Sequence, residues 1–188
     1  MRSTLLVLIA ILPLAQGCAP LIVGGAAATG VAVSQDRRTV GTMTEDEGIE
    51  LRANSRLRER FGENAYVSVT SYNRTVLLTG QVPDAQVRAE AERIARSVDN
   101  VRGVYNELVV AGLSSFTARS NDSIITSKVK ARFLDASKFN ILHVKVVTES
   151  SVVYLLGMVN KREANDATEI ARTTSGVQKV VRVFEYLD

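Results

Sequence analysis

Apolar residues beyond residue 48 follow first a helical and then a strand spacing. Within residues 49–61 they recur at four-residue steps among Arg and Glu, which predicts an amphipathic helix with an inner face formed by Ala53, Leu57 and Phe61. Val67–Val69 then alternates with polar neighbours, and Thr75–Thr79 is denser in β-forming residues, so the pattern predicts two paired strands. We expect the turn between them at Asn73–Arg74.

A second helix and a last strand complete this unit. The helix follows Pro83–Asp84 and places its apolar residues on one side: Val87, Ala91, Ile94 and Ala95. The strand covers Val104–Val110. The order is therefore α-β-β-α-β, which predicts an α+β fold with a small three-stranded mixed sheet and two helices on one of its faces.

The same order occurs a second time along the chain. Three stretches match between the copies: Ser55–Phe61 with Ser127–Phe133, Val67–Gly80 with Val144–Gly157, and Ile94–Val104 with Ile170–Val180. In the second copy, which has five extra residues after Phe133, we expect Asn121 or Asp122 to cap the first helix and Ser150–Ser151 to form the hairpin turn. A unit of fewer than about 70 residues buries a thin core, so we expect the copies to pack on each other.

The first 35 residues carry a single charge and have the pattern of an export signal. The apolar run Leu5–Leu12 is too short to span a bilayer, and Leu14–Cys18 after it resembles the lipobox of bacterial lipoproteins. By that resemblance Cys18 becomes the acylated N-terminus, and Ala19 in place of Asp after it favours the outer membrane. The alternatives are an ordinary signal peptide with an incidental Cys, or a membrane-spanning anchor that includes residues 19–34.

These patterns divide the chain into five parts. We expect a lipoprotein signal peptide, the acylated Cys with a flexible tether, a first domain, a linker and a second domain, over residues 1–17, 18–45, 46–112, 113–119 and 120–188. Charged residues of the polar stretch 35–48 are predicted to be solvated, namely Arg37–Arg38 and Glu45-Asp46-Glu47.

The composition is poor in catalytic and metal-binding residues. One Cys and one His exclude a disulfide within the chain and leave too few ligands for a Cys/His zinc site. His143 is the single candidate base and lies in a strand-like run, and no paired carboxylates or Gly-rich phosphate loop occur. We therefore expect no enzyme, no cofactor and no metal. A net charge of +3 is too small to indicate nucleic acid binding.

Taken together, the repeated unit resembles the BON domain. The resemblance rests on the α-β-β-α-β order, on hairpins that end in Leu77-Leu78-Thr79-Gly80 and Leu155-Leu156-Gly157, and on the Ile-Ala-Arg and Val-x-x-Val patterns that follow. Two such units behind a lipobox are similar to the dual-BON outer-membrane lipoproteins, over nearly the whole chain. The resemblance implies a periplasm-facing protein that attaches to anionic phospholipid surfaces, supports outer-membrane integrity and has no catalytic activity.

Comparison of the two copies indicates a place for lipid contact. The first helix of copy one carries Arg52 and Glu59 where copy two has Ile124 and Ala131. In copy two, Ile124, Ala131 and Leu134 form an apolar strip outside the predicted core. Basic residues border this strip: Lys128, Lys130 and Arg132. Apolar side chains can enter the headgroup boundary of an anionic bilayer, and each nearby Lys or Arg contributes about 1 kcal/mol. The alternative is that Ile124 and Leu134 pack against copy one or against the inserted loop.

Two classes of function follow from this pattern. The leading hypothesis is a membrane-anchored binding module whose second domain recognises an anionic phospholipid surface, which the anchor holds at high effective concentration. The alternative is a protein-interaction scaffold that docks on an outer-membrane or peptidoglycan-linked assembly. In that case its partner is a protein of the outer membrane and lipid contact is incidental.

Overall fold

The computed structural model describes residues 35–112 and 116–188, without the side chains of residues 116–118. The predicted signal peptide, Cys18 and the predicted tether up to residue 34 lie outside the described residues, as do residues 113–115 of the predicted linker. Residues Gln35–Asp188 form one compact unit.

Both copies fold in the predicted α-β-β-α-β order. In chain order the elements are α1 (Val40–Phe61), β1 (Tyr66–Tyr72), β2 (Thr75–Val82), α2 (Ala85–Arg96), β3 (Gly103–Asn106), β4 (Val109–Val110), α3 (Phe116–Ala136), β5 (Val144–Glu149), β6 (Val152–Val159), α4 (Lys161–Arg172) and β7 (Lys179–Tyr186). The predicted last strand of copy one is thus split into β3 and β4. Within the described residues no helix is both long and apolar enough to cross a membrane.

The α+β fold with mixed sheets is confirmed. In each copy the middle strand pairs antiparallel with the strand before it, which forms the hairpin, and parallel with the strand after it, which follows the second helix. The predicted turns are present at Asn73–Arg74 and Ser150–Ser151, and all four residues have positive φ between 49° and 63°. Such paired left-handed residues form the tight turns that match the twist of a hairpin.

One face of each sheet packs against the helices of its own copy. In copy one, Ile49, Ala53 and Leu57 of α1 are buried with Val76 and Leu78 of β2. In copy two the corresponding core contains Ile125, Val129 and Phe133 of α3 with Val153 and Leu155 of β6. The inward faces predicted from four-residue spacing are therefore the buried ones.

The other faces of the two sheets pack on each other. Tyr72 and Leu77 from copy one form a buried cluster with residues of copy two: Tyr154, Leu156 and Val183. We call this cluster the seam. Because alternate strand residues point to opposite faces, the seam leaves the helices on the outside and gives an α/β/β/α arrangement of layers. The expected contact between the copies is thus made by the sheets.

The prediction of a tether up to residue 45 is wrong at its C-terminal end. Helix α1 begins at Val40, and the hydroxyl of Thr39 accepts a hydrogen bond from the Thr42 N–H at 3.1 Å as its N-cap. Asp46 and Ile49 are buried within this helix. The polar composition of residues 35–48 concealed the helix, because its inner side is formed partly by a charged residue.

The two arginines ahead of α1 are also held by the fold, contrary to the prediction that they are solvated. Arg37 donates to both carboxylate oxygens of Glu163 in copy two, at 2.7 and 2.9 Å. Arg38 pairs with Asp36 and Asp46 at 2.9 and 3.0 Å, and its guanidinium lies 4.0 Å from the ring centre of Tyr72. Carboxylates and an aromatic face thus surround these partly buried cations.

Buried aspartates hold both hairpin turns. Asp46 accepts hydrogen bonds from the backbone N–H groups of Asn73 and Arg74 at 2.8 and 2.7 Å. Asp122 accepts from those of Ser150 and Ser151, both at 2.8 Å. The expectation that Asn121 or Asp122 caps α3 is therefore wrong, because the helix begins earlier and Asp122 reaches sideways from within it. Asp46 likewise does not belong to a solvated acidic triplet.

Glu149 is an acid buried at the edge of the seam. Its carboxylate accepts a hydrogen bond from Gln81 Nε2 at 2.7 Å. Burial raises the pKa of Glu149, and the charge of Asp122 adds to the rise, whereas the Gln81 hydrogen bond and Arg119 lower it. The pKa of Glu149 is higher in the folded than in the unfolded chain, so its ionised form lowers the free energy of unfolding at neutral pH. Stability is regained as the pH falls through the folded-state pKa and the carboxyl group becomes protonated.

We therefore expect Glu149→Gln to raise the Tm of residues 35–188 at pH 7 by about 2–4 °C, and the difference from the parent to shrink toward pH 4.5. The amide keeps an oxygen acceptor for Gln81 without the buried charge. Thermal unfolding followed by circular dichroism at several pH values is the measurement. Glu47→Gln, at an exposed acid of α1, is the control and should change little. A lower Tm for Glu149→Gln at pH 7 would contradict the expectation.

Candidate functional site

The predicted apolar strip lies on the outward face of α3. Since Ile125, Val129 and Phe133 face the core, a rotation of 100° per residue carries the strip to the opposite side. Ile124 is 54% exposed and Leu134 is 60% exposed. Ala131, between them along the helix, is also exposed. The structure therefore places all three predicted apolar residues together at the surface.

Neither of the alternative packing arrangements for this strip is observed. The contact between the copies is made by the sheet faces of the seam, and Ile124 and Leu134 belong to none of the buried clusters. In the inserted loop Phe139 packs edge-on against Phe133, with ring centres 5.0 Å apart. The loop thus covers the inner side of the helix and leaves Leu134 open.

Two lysines border the strip on its two sides. Helical geometry places Lys128 beside Ile124 and Lys130 beside Leu134, at opposite edges of the outward face. Both side chains are exposed, and neither forms an ion pair with another described residue. Asp135 is an exposed acid near the C-terminal end of this face. We call Ile124, Lys128, Lys130, Ala131 and Leu134 the outward face.

Arg132 does not belong to this face, although its sequence position suggested that it does. Its Nη1 donates to the carbonyl oxygen of Ile170 and to Oγ1 of Thr174, both at 2.9 Å. Arg132 therefore fixes α3 to the C-terminal end of α4. Sequence spacing did not reveal this role, since it depends on which helix lies alongside.

The two copies differ in charge as well as in this face. Residues 121–188 contain ten basic and eight acidic residues, whereas residues 46–112 contain nine and ten. Copy two thus carries the positive balance, on the same domain as the apolar strip. In the described part of the chain no group of three or more His, Cys, Asp and Glu side chains is placed to hold a metal ion.

Sequence reasoning missed three further exposed apolar residues of copy two: Leu142, Tyr186 and Leu187. Their spacing within or beside strands predicts burial, and no signal in the sequence marks them as surface residues. Only the positions of the strand ends place them outside the core.

The chain is similar to known proteins over both copies. The family model described as the BON domain matches residues 46–112 and 121–188. An outer membrane lipoprotein DolP of Haemophilus influenzae is 39% identical over 92% of this chain and 90% of its own length. A 21 kDa hemolysin of Actinobacillus pleuropneumoniae is 34% identical over 81% and 79%, and the osmotically-inducible protein Y of Escherichia coli is 30% identical over 80% and 77%.

Arg132 and Lys130 offer a direct test of which cation belongs to the outward face. We expect Arg132→Ala to lower the free energy of unfolding by about 1–2 kcal/mol, because it removes two charge-assisted hydrogen bonds, and to leave vesicle binding unchanged. Lys130→Ala should change stability by less than about 0.5 kcal/mol but weaken binding to anionic vesicles. Urea unfolding and vesicle co-sedimentation measure the two effects. If both variants lost vesicle binding equally with the fold intact, Arg132 would contribute to the outward face after all.

Proposed function

The chain belongs to the BON-domain family, and from this we propose that it is an outer-membrane lipoprotein whose second domain binds anionic phospholipid surfaces through the outward face of α3. The protein faces the periplasm and supports the integrity of the outer membrane. The single observation that carries the lipid assignment is the exposure of Ile124 and Leu134 between two unpaired lysines.

The membrane anchor is supported by sequence and by relatives. Cys18 follows the lipobox-like Leu14–Gly17, and one relative of similar length is named an outer membrane lipoprotein. Several acyl chains on one Cys give stable anchoring, because each buried methylene contributes about 0.8 kcal/mol and a single chain holds only marginally.

The lipid contact itself is weak and acts together with the anchor. Partial burial of an Ile or Leu side chain contributes about 1–2 kcal/mol, and each lysine near an anionic surface about 1 kcal/mol. A contact of this size alone corresponds to roughly millimolar to tens of micromolar affinity. Once the lipid anchor confines the protein to the leaflet, the effective concentration of lipid is high enough for the outward face to stay engaged.

The arrangement of the two copies supports the assignment to domain two. The seam occupies the free faces of both sheets, so the helices are what the molecule presents to a surface. At the corresponding positions of α1, Arg52 and Glu59 replace Ile124 and Ala131, and a bilayer would have to take up an acid there. The first domain therefore supports the second by covering its sheet. No catalytic step is assigned to either domain, and the relatives are BON-domain proteins whose names denote no enzyme.

We expect Ile124→Glu to reduce binding of residues 35–188 to vesicles of phosphatidylglycerol and phosphatidylethanolamine about tenfold or more, since it replaces an inserted side chain by a charge repelled from anionic lipid. Flotation of the protein with vesicles measures the bound fraction. Leu51→Glu is the matched control, because Leu51 is an exposed apolar residue of α1, 72% accessible, on the other domain. It should leave binding unchanged.

Unchanged binding of Ile124→Glu with an intact fold would contradict the lipid assignment. A single dominant protein adduct through α3 on crosslinking in cells would favour the scaffold alternative, in which the partner is an outer-membrane protein.

The anchor has a separate test. Mass spectrometry of the mature N-terminus, from cells that express the full chain, should find Cys18 as the first residue with acyl chains attached. Cys18→Ser should leave the protein in the soluble periplasmic fraction. Recovery of an unmodified Cys18 within a longer mature chain would contradict the anchor.

A further inference from the structure

We propose that one end of domain two, beyond the outward face of α3, is a second part of the membrane-contact surface and meets the same anionic bilayer. This inference rests on the proposed function and extends it to residues outside α3. We call the apolar residues Leu142, Tyr186 and Leu187 with Lys161 and Arg182 the end patch.

The topology of copy two brings several element ends together at the end patch. Strands β6 and β7 run parallel, with Val159 paired to Tyr186, so both finish there. Strand β5 begins at this end, where Val144 pairs with Gly157. Since α4 starts directly after β6, and α3 ends just before β5, the N-terminus of α4 and the C-terminus of α3 lie there as well. Leu134, in the last turn of α3, therefore connects the outward face to the end patch.

Exposed apolar side chains of copy two concentrate at this end. Leu142 is 37% exposed, Tyr186 46% and Leu187 51%. Among the described side chains of the second domain, the large exposed apolar residues are these three, Leu134 and Ile124. All of them except Ile124 lie at this end. Exposed apolar residues scattered singly need no explanation, but their collection at one end of a small domain marks a contact surface.

The charges at this end favour an anionic surface. Lys161 and Arg182 line a groove of about 300 Å³ with Tyr186 and Asn165, and neither cation forms an ion pair with a described residue. Of the neighbouring acids, Asp166 forms an ion pair with Lys138 at 3.1 Å. Asp188 and Glu185 accept hydrogen bonds from neutral groups, the Lys161 backbone N–H at 3.0 Å and Asn73 Nδ2 at 2.6 Å. Cations beside an exposed tyrosine and leucine are the composition that suits the headgroup boundary of a bilayer.

The chain leading to Cys18 leaves the described structure at the same end. Gln35 Oε1 accepts from Asn140 Nδ2, in the loop between α3 and β5, at 3.1 Å. Arg37 is fixed to Glu163 in the first turn of α4, so residues 35–39 are attached to domain two although they continue into α1 of domain one. Burial alone would raise the pKa of Glu163, but the hydrogen bonds from Arg37, the Asn160 N–H and His143 hold it below its usual range. The acid therefore stays ionised and paired.

The length of chain between Cys18 and Gln35 supports the bilayer as the occupant of this surface. Cys18 precedes Gln35 by 17 positions, which reach at most about 60 Å when fully extended. An acylated Cys18 therefore keeps the point where Gln35 leaves domain two within that distance of the membrane. The end patch lies beside this point, so the anchor keeps it close to the bilayer as well.

The experiment uses the absence of Trp from the chain. Single-tryptophan variants of residues 35–188 are prepared at the end patch, Leu142→Trp and Leu187→Trp, with Ile124→Trp for the outward face and Leu51→Trp as the control on domain one. Each is mixed with phosphatidylglycerol vesicles that contain brominated lipid. We expect a blue shift and clear quenching for Leu142→Trp, Leu187→Trp and Ile124→Trp, and none for Leu51→Trp.

A loss-of-binding variant complements the tryptophan series. Leu187→Glu should weaken vesicle binding about threefold to tenfold, with circular dichroism unchanged because the side chain is exposed. Quenching at position 124 without quenching at 142 and 187 would overturn the end patch while the proposed function stands. Absence of quenching at all three positions would overturn both.

Discussion

The packing of the two sheets through their helix-free faces is the constraint on which the rest of the molecule depends. Each copy is small, and its two helices cover only one face of its sheet, so burial of the other face adds to a thin core. The seam buries the second sheet face of both copies at once, through Tyr72 and Leu77 on one side and Tyr154 and Leu156 on the other. As a consequence the helices of both domains face outward, and the surface of α3 is available for a contact outside the chain.

Both copies keep an acceptor for the backbone N–H groups of the hairpin turn. They differ on the outer side of the first helix, where no backbone group needs a side-chain partner. Both hairpins turn through left-handed residues whose N–H groups need an acceptor, and both find a buried aspartate. The aspartates are not at matching positions. Asp122 aligns with Glu50, which accepts from the Ser71 N–H at 2.8 Å, while Asp46 binds the turn from one helical turn earlier. On the outer side of the same helices no backbone group needs a partner, so apolar residues in one copy and charged residues in the other are equally compatible with the fold.

Residues 35–39, ahead of α1, are held by both domains. Arg37 and Arg38 each pair with a carboxylate in a different domain, Glu163 in the second and Asp46 in the first. The segment therefore reinforces the seam and also determines where the chain leaves domain two. A membrane contact of a few kcal/mol gains most from an anchor that emerges beside it, since the effective concentration falls as the connecting chain lengthens.

Much of the fold could be predicted because the local spacing of apolar residues indicates the helices and strands. Four-residue and two-residue spacing gave the helices and strands, and internal repetition confirmed each element by its counterpart. The outward position of Ile124 and Leu134 followed from the same spacing, since residues that are not on the inner side of a helix must be on its outer side. These predictions needed no knowledge of what lies next to the helix.

Most of the predictions that were wrong or missing concern contacts between distant parts of the chain. The attachment of Arg37, the lateral role of Asp122 and the bond from Arg132 to α4 depend on partners far away in sequence. A charged residue in a polar stretch has the same sequence signature whether water or a buried carboxylate surrounds it. The sequence by itself determined the elements, their repetition and the side of each helix. Only the tertiary structure decided which charges are paired, because pairing depends on distances that appear when the two sheets come together.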